Sequence, residues 1–177
     1  MIFFAKYCMN LYSLDKKDFV SWLPQLPDGI ELVDATEKLF DENKAYCAKH
    51  YRRWKSNMKK GAKCVFAVHN NRIVGHGWLK TQGSNDTFYK FGRKVAYLSE
   101  FYVDGDFRGR GIYPVLQSYL IHENPEYQRF FSSAYPTNVS SLKGLKKVGF
   151  SKISTLTFYR AFKITWNKYA LVEKQDT

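Results

Sequence analysis

A chain of 177 residues that is 45% hydrophobic and 25% charged can enclose a core, and that balance does not suit a fibrous or disordered protein. The net charge of +12 points to anionic partners (nucleic acid, anionic membrane or phosphorylated small molecules), yet no run of five like charges forms a nucleic-acid tail. Three cysteines without a CxxC pair, and four histidines without an HExxH or a close pair, argue against a disulfide framework and against a metal site, and reduced thiols suit a cytoplasmic protein.

In chain order, residues 1–12 are apolar and aromatic. Lys6 interrupts them, and the run is too short for a signal or transmembrane segment, so it reads as a first strand. "SLDKKDFVSWL" offers Ser13 or Asp15 as the cap of a short helix, stopped by Pro24 and Pro27. "DGI" is a turn. Asp34 then caps a long helix, with Glu37 three residues on as a capping-box partner. Phe40, Cys47, Tyr51, Trp54 and Met58 give that helix one apolar stripe, and Gly61 ends it. "KCVFAVHNNRIVGHGWLK" is a hairpin turning at Asn70-Asn71. "TQGSNDTFYKFG" is a polar loop, "KVAYLSEFYV" a strand and "DGDFRGRG" a turn. A helix over "IYPVLQSYLIHEN" has Pro114 in its first turn, "RFFSSAY" is a strand, and Asn138 caps "VSSLKGLKKV", which stops at Gly149. The remainder is β-rich, and the tail from about 172 is frayed.

The order β, α, α, β-β-β, α, β, α, β, without repeats or linkers, describes one mixed α/β domain over residues 1–177. The 18% aromatic content belongs to its core rather than to a base-stacking surface. The basic groups Arg52 to Lys55, Lys59 to Lys63 and Lys143 to Lys147 read as solvated helix faces.

The stretch Arg108-Gly109-Arg110-Gly111 lies between a strand and a helix. Glycines there admit positive φ, successive N–H groups can converge on an anion, and the helix N-terminus adds free donors. The site suits a phosphate or pyrophosphate. It is neither a Walker A loop, for want of Gly-Lys-Ser/Thr, nor a GxGxxG fingerprint, since Pro114 holds the third position.

Arg108 to Tyr113 resembles the Arg/Gln-x-x-Gly-x-Gly/Ala loop of the GNAT acetyltransferase superfamily. "LSEFYV" before it is similar to that family's fourth strand, and Asn138, Ser141, Gly149 and Phe150 resemble its N-x-x-S…GF segment. The resemblance implies a GNAT-like fold: a central mixed, mostly antiparallel sheet of about six to seven strands, flanked by about four helices, whose fourth and fifth strands splay to admit the pantetheine of acyl-CoA. It further implies that the backbone at Phe101 and Val103 binds the pantetheine and the acetyl carbonyl, and that an N–H near Phe101 serves the oxyanion. Residues Gly109, Arg110, Gly111, Ile112 and Tyr113, with Arg108, hold the pyrophosphate, and Asn138 and Ser141 line the arm. Acetyl-CoA is then the co-substrate and no metal takes part.

Such an enzyme transfers acetyl to a primary amine by direct attack. Glu100, the only carboxylate in the strand before the loop, is the expected base. Period-2 alternation aims it away unless a bulge intervenes. Many members carry an acid tyrosine seven residues after the asparagine; here that residue is Leu145, so Tyr135 or another tyrosine would have to substitute as the acid, or none is needed. Tyr113 replaces a small residue, Pro114 removes a donor, and His76 reads as structural. The expected acceptor is a small molecule such as an amino sugar or a polyamine-like amine, with no membrane and with a homodimer allowed. The alternatives are acetylation of a protein or of aminoacyl-tRNA, with nucleic acid as partner, and a CoA- or nucleic-acid-binding module without catalysis.

Overall fold

The computed structural model describes residues 5–20, 26–81, 94–161 and 164–167, with side chains over 7–20, 26–81 and 94–157. Eight strands form one sheet: β1 (Ala5–Asp15), β2 (Ile30–Asp34), β3 (Lys63–His69), β4 (Arg72–Lys80), β5 (Val95–Val103), β6 (Arg129–Ala134), β7 (Ser151–Ala161) and β8 (Ile164–Asn167). Their spatial order is β2-β3-β4-β5-β6-β1-β7-β8. Every pairing is antiparallel except β5 with β6. That parallel pair needs a crossover, which α4 (Ile112–His122) supplies. This is the mixed α/β sheet expected from the sequence, with eight strands rather than six to seven; β2, read from sequence as a turn and a helix cap, is an added edge strand.

Helices cover both faces. On one, α4 and α5 (Val139–Val148) pack against β3 to β6 through Leu116, Leu120, Leu145, Leu98 and Phe130. On the other, α1 (Glu37–Glu42), α2 (Lys44–Cys47) and α3 (Tyr51–Lys59) bury Phe40, Cys47 and Trp54 against Phe66 and Trp78. The apolar stripe read from the sequence is therefore present, but on three helices rather than one. Asn43 (φ −112°, ψ 37°) and His50 (φ −123°, ψ 0°) leave helical geometry, and the Asn43 amide donates to the Leu39 carbonyl at 2.9 Å. A side chain that offers the backbone another partner favours such a break.

Two further expectations shift. Residues 30–34 pair with β3, so Asp34 lies opposite Val65 in the sheet, and Thr36 caps α1 by accepting the Leu39 N–H at 3.1 Å. The helix expected after Ser13 shortens to one 3-10 turn, Lys16–Asp18, because β1 runs on to Asp15 opposite Arg129. The hairpin turn is as read: Asn70 and Asn71 take φ of 47° and 60°. The polar loop from residue 82 and the tail lie outside the described residues.

Candidate active site

β5 and β6 pair only over Val95–Leu98 and Arg129–Ser132. Beyond this the strands part, and the backbone groups of residues 99–103 on that side have no β6 partner. Where they part, β5 also bulges. Gly75 pairs with Val103 and His76 with Tyr102, but Trp78 pairs with Ser99, so two residues oppose Gly77. Glu100 absorbs the extra residue with φ of 53°, a conformation that costs a non-glycine residue about 1 kcal/mol. Ala96, Leu98, Phe101 and Val103 consequently all join the α4–α5 core, while Glu100 turns to α3. A bulge does intervene, and it leaves Glu100 on the face opposite Phe101.

The Glu100 carboxylate is saturated. One oxygen accepts from Lys80 Nζ (2.6 Å) and Arg53 (3.2 Å), and the other from Arg53 (2.6 Å) and the Trp54 indole N–H (3.0 Å). Burial raises its pKa, but the hydrogen bond and charge of Lys80, the indole and Arg53 together outweigh burial and hold it below its ordinary value. A carboxylate with its lone pairs filled by four donors is an anchor that joins α3, β4 and β5 and a weak proton acceptor, which runs against the expected role as base.

On the α4–α5 face the anion loop follows. Gly109 and Gly111 have φ of 78° and 84°, and a Cβ would meet nothing within 4 Å at either, so conformation alone demands glycine there. Gly111 caps α4 in the left-handed region, and the N–H groups of Gly109 to Tyr113 have no internal partner among the described residues. Pro114 contributes none, as expected. The two arginines turn back on the protein: Arg108 Nε donates to the Val103 carbonyl (2.9 Å), and Arg110 lies 5.1 Å over the Phe107 ring. The donors for an anion are thus main-chain groups at a helix start, with guanidinium charge behind them. They open into a groove of about 480 Å³ lined by Phe101, Val103, Tyr113, Asn138, Ser141, Lys143 and Lys147. Two lysines read as a solvated helix face therefore border the groove. The Asn138 Oδ1 accepts from the Ser141 N–H (3.2 Å) and the Ser140 hydroxyl (3.0 Å), so its first task is to cap α5. Free donors at a left-handed turn beside parted strands suit the diphosphate and arm of an acyl-CoA.

Tyr113 fills a place made for it. A Cβ on Gly144 of α5 would stand 2.2 Å from the Tyr113 ring, and the ring meets Phe101 edge-on at 5.2 Å. Its hydroxyl takes a hydrogen bond from Gln117 Nε2 (3.3 Å) and shares another with Ser141. Burial pushes the phenol well above its usual pKa. Leu145 beside Gly144 is fully buried. Tyr135 is half exposed after β6 and lines neither cavity, so it does not join the other expected residues.

Across β5 lies a second cavity of about 850 Å³, sharing Phe101 and Tyr102 with the first as a common wall. Its walls are aromatic. Trp54 meets His76 at 4.7 Å, His76 stacks on Tyr102 at 5.8 Å, and His50 stacks on Trp54 at 5.4 Å. The Tyr46 hydroxyl lies 2.8 Å from His76 Nδ1. Its carboxylates Glu42, Glu100 and Asp104 are matched in number by Lys49, Arg53 and Arg72, and Arg72 pairs with Asp104 at 2.7 Å. From sequence, Arg53 belongs to a solvated face and Trp54 to an apolar stripe, and neither Tyr46 nor Tyr102 stands out. Their convergence depends on α3 lying over the bulge, which no local pattern shows. Burial raises the thiols of Cys47, to about 11, and Cys64, and neither lines either of these two cavities.

Parted parallel strands, a β-bulge at the gap and an anion loop at a helix start fit the fold of an acyltransferase. The profile of the Acetyltransferase (GNAT) family matches residues 29–150, and the chain belongs to that family. A search of curated protein sequences gave no match. Among solved structures, a Drosophila structural-genomics protein superposes with a TM-score of 0.70 at 14% identity, over 91% of this chain and 52% of its own. A tandem GNAT protein from the clavulanic acid biosynthesis pathway gives 0.66 at 17%, over 88% and 53%. A GCN5-related glucosamine N-acetyltransferase region of a fungal multi-domain GH3 β-N-acetylglucosaminidase gives 0.66 at 14%, over 91% and 21%. The chain thus spans about half of the first two structures and a fifth of the third.

Proposed function

We propose that the protein transfers the acetyl group of acetyl-CoA to the primary amine of a small molecule, an amino sugar fitting best. One observation carries this reading: the anion-loop groove and the aromatic cavity meet at one wall, Phe101 and Tyr102, from opposite sides of β5. A donor held in the groove by the N–H groups of Gly109 to Tyr113, with its arm along Phe101, Val103, Asn138 and Ser141, would present its carbonyl at the gap. The unpaired backbone N–H groups there would serve the oxyanion. An amine in the aromatic cavity would reach the same carbon, and holding both partners supplies much of the acceleration.

The cavity's chemistry favours the amino sugar over the polyamine-like amine. Its three carboxylates are balanced by three cations, so it offers no unmatched negative charge to a polycation. Aromatic faces such as Trp54 and Tyr102 stack on the C–H face of a sugar ring, and Asn43 and Asn71 can meet its hydroxyls. The fungal glucosamine N-acetyltransferase region shares this fold.

The test is free-thiol release from acetyl-CoA over a panel holding glucosamine-type sugars, polyamines, lysine peptides and aminoacyl-tRNA. The reading expects turnover on the sugars and weak dependence on salt. Turnover confined to aminoacyl-tRNA, falling steeply as salt rises, would replace it. CoA binding without turnover on any amine would make the protein a binding module.

A further inference from the structure

We propose that His76, held by Tyr46, receives the proton released by the attacking amine, and that Glu100 positions it by holding the Trp54 indole that packs against the ring. This rests on the acetyl-transfer reading above. Three observations lead to it. First, the residue expected to act as base has no vacant lone pair, since Glu100 accepts from Lys80, Arg53 and Trp54. Second, His76 lies on β4 at the bulge, paired with Tyr102, and lines the acceptor cavity where the shared wall divides it from the groove. Third, its two nitrogens are not equivalent. Nδ1 is within 2.8 Å of the Tyr46 hydroxyl, which leaves Nε2 for a ligand.

If Nδ1–H donates to the phenol oxygen, Nε2 carries a lone pair, which is the tautomer the role needs. The ring is 7% exposed and wedged between Trp54 and Tyr102, so its orientation is fixed. The titratable and charged groups around it are Tyr46 on α2, His50 beside α3, Arg53 on α3, and Glu100 and Tyr102 on β5. Burial lowers its pKa to about 4, against an opposing pull from Glu100, so the ring stays neutral over the physiological range.

The step balances. The amine binds in its neutral form; its nitrogen lone pair bonds to the carbonyl carbon, and the carbonyl π electrons move to oxygen at the backbone donors. The nitrogen, now carrying a fourth bond, is a stronger acid than a free ammonium and passes its proton to His76 Nε2. The imidazolium is stabilised by the nearby Glu100 charge. The C–S bond then breaks, the thiolate leaves with the electron pair, and the proton passes through solvent to it. Thiol and amide form one for one and His76 returns neutral.

The test is the pH profile of kcat for wild type, H76Q, Y46F and E100Q on an accepted amine sugar, with CoA-induced thermal shift as the check on folding. The expected result is a wild-type kcat that is level from pH 6 to 9. H76Q should lose about 100-fold in kcat, with its residual rate rising with pH as hydroxide replaces the ring. Its KM for acetyl-CoA and its CoA shift should stay unchanged. Y46F should fall about 10-fold with the same trend, and E100Q should lower kcat by less than H76Q without acquiring that slope. An H76Q enzyme that binds CoA and keeps kcat within threefold overturns the role of His76 alone. An E100Q enzyme that alone acquires the pH slope returns the role to Glu100. A wild type without turnover on any amine overturns the acetyl-transfer reading, and the His76 role with it.

Discussion

Tyr113 and Gly144 are one feature made by two residues. The phenol ring occupies the volume that any side chain on Gly144 would need, 2.2 Å from where a Cβ would stand, and the ring in turn sets the edge on which Phe101 rests. Gly144→Ala should therefore cost about 1–3 kcal/mol through overpacking, read as a lower Tm, and should raise the KM for acetyl-CoA. Adding Tyr113→Ala should relieve most of that clash; a double variant no more stable than the sum of its parts would contradict the pairing. Glu100 works differently. Lys80 is 3% exposed and donates to it, so Glu100→Ala strands a buried ammonium and should cost about 3 kcal/mol or more in urea unfolding. A loss under 1 kcal/mol would mean that Lys80 finds water.

At the scale of elements, the loop and the bulge set the site. Gly111→Ala places a Cβ at φ of 84° in open space, so it should strain the α4 cap by about 1 kcal/mol and swing the N–H cradle. The expected readout is a raised KM for acetyl-CoA with the amine KM unchanged; equal KM values would remove the loop from donor binding. Much of this was legible beforehand. The loop, the Asn138 cap and the strand before the gap have local signatures: paired glycines, a capping residue, a run of β formers. The acceptor cavity was not. Its walls come from α2, α3, β4 and β5, brought together by tertiary packing, and the two breaks in the long amphipathic stretch depend on Asn43 and His50 conformations that leave the apolar stripe intact. Glu100 illustrates the boundary. Sequence shows a carboxylate before the loop, but only the fold shows that Arg53, Trp54 and Lys80 fill its lone pairs.

Over the whole molecule, the sheet is built around β1. β1 lies between β6 and β7 and precedes the segment that carries the family match, so central sheet pairing joins residues far apart in sequence. Acid should loosen this structure in a defined window. His76 falls from 6.5 to about 4 on burial, so its contribution is present above pH 6.5 and is lost as pH falls through 4. That is about 3 kcal/mol over the window. Glu100, also lowered, loses its share as pH falls below the ordinary glutamate value. Stability measured by urea from pH 7 to 4 should fall, and H76N should flatten the decline; an unchanged slope would mean that His76 is not the group responsible. The central claim is that donor and acceptor are held at once on opposite sides of β5 and react directly. Initial velocities of thiol release, with acetyl-CoA and the amine both varied, test it most directly. The account predicts intersecting double-reciprocal lines, as for a ternary complex. Parallel lines, the mark of an acetylated enzyme intermediate, would contradict it.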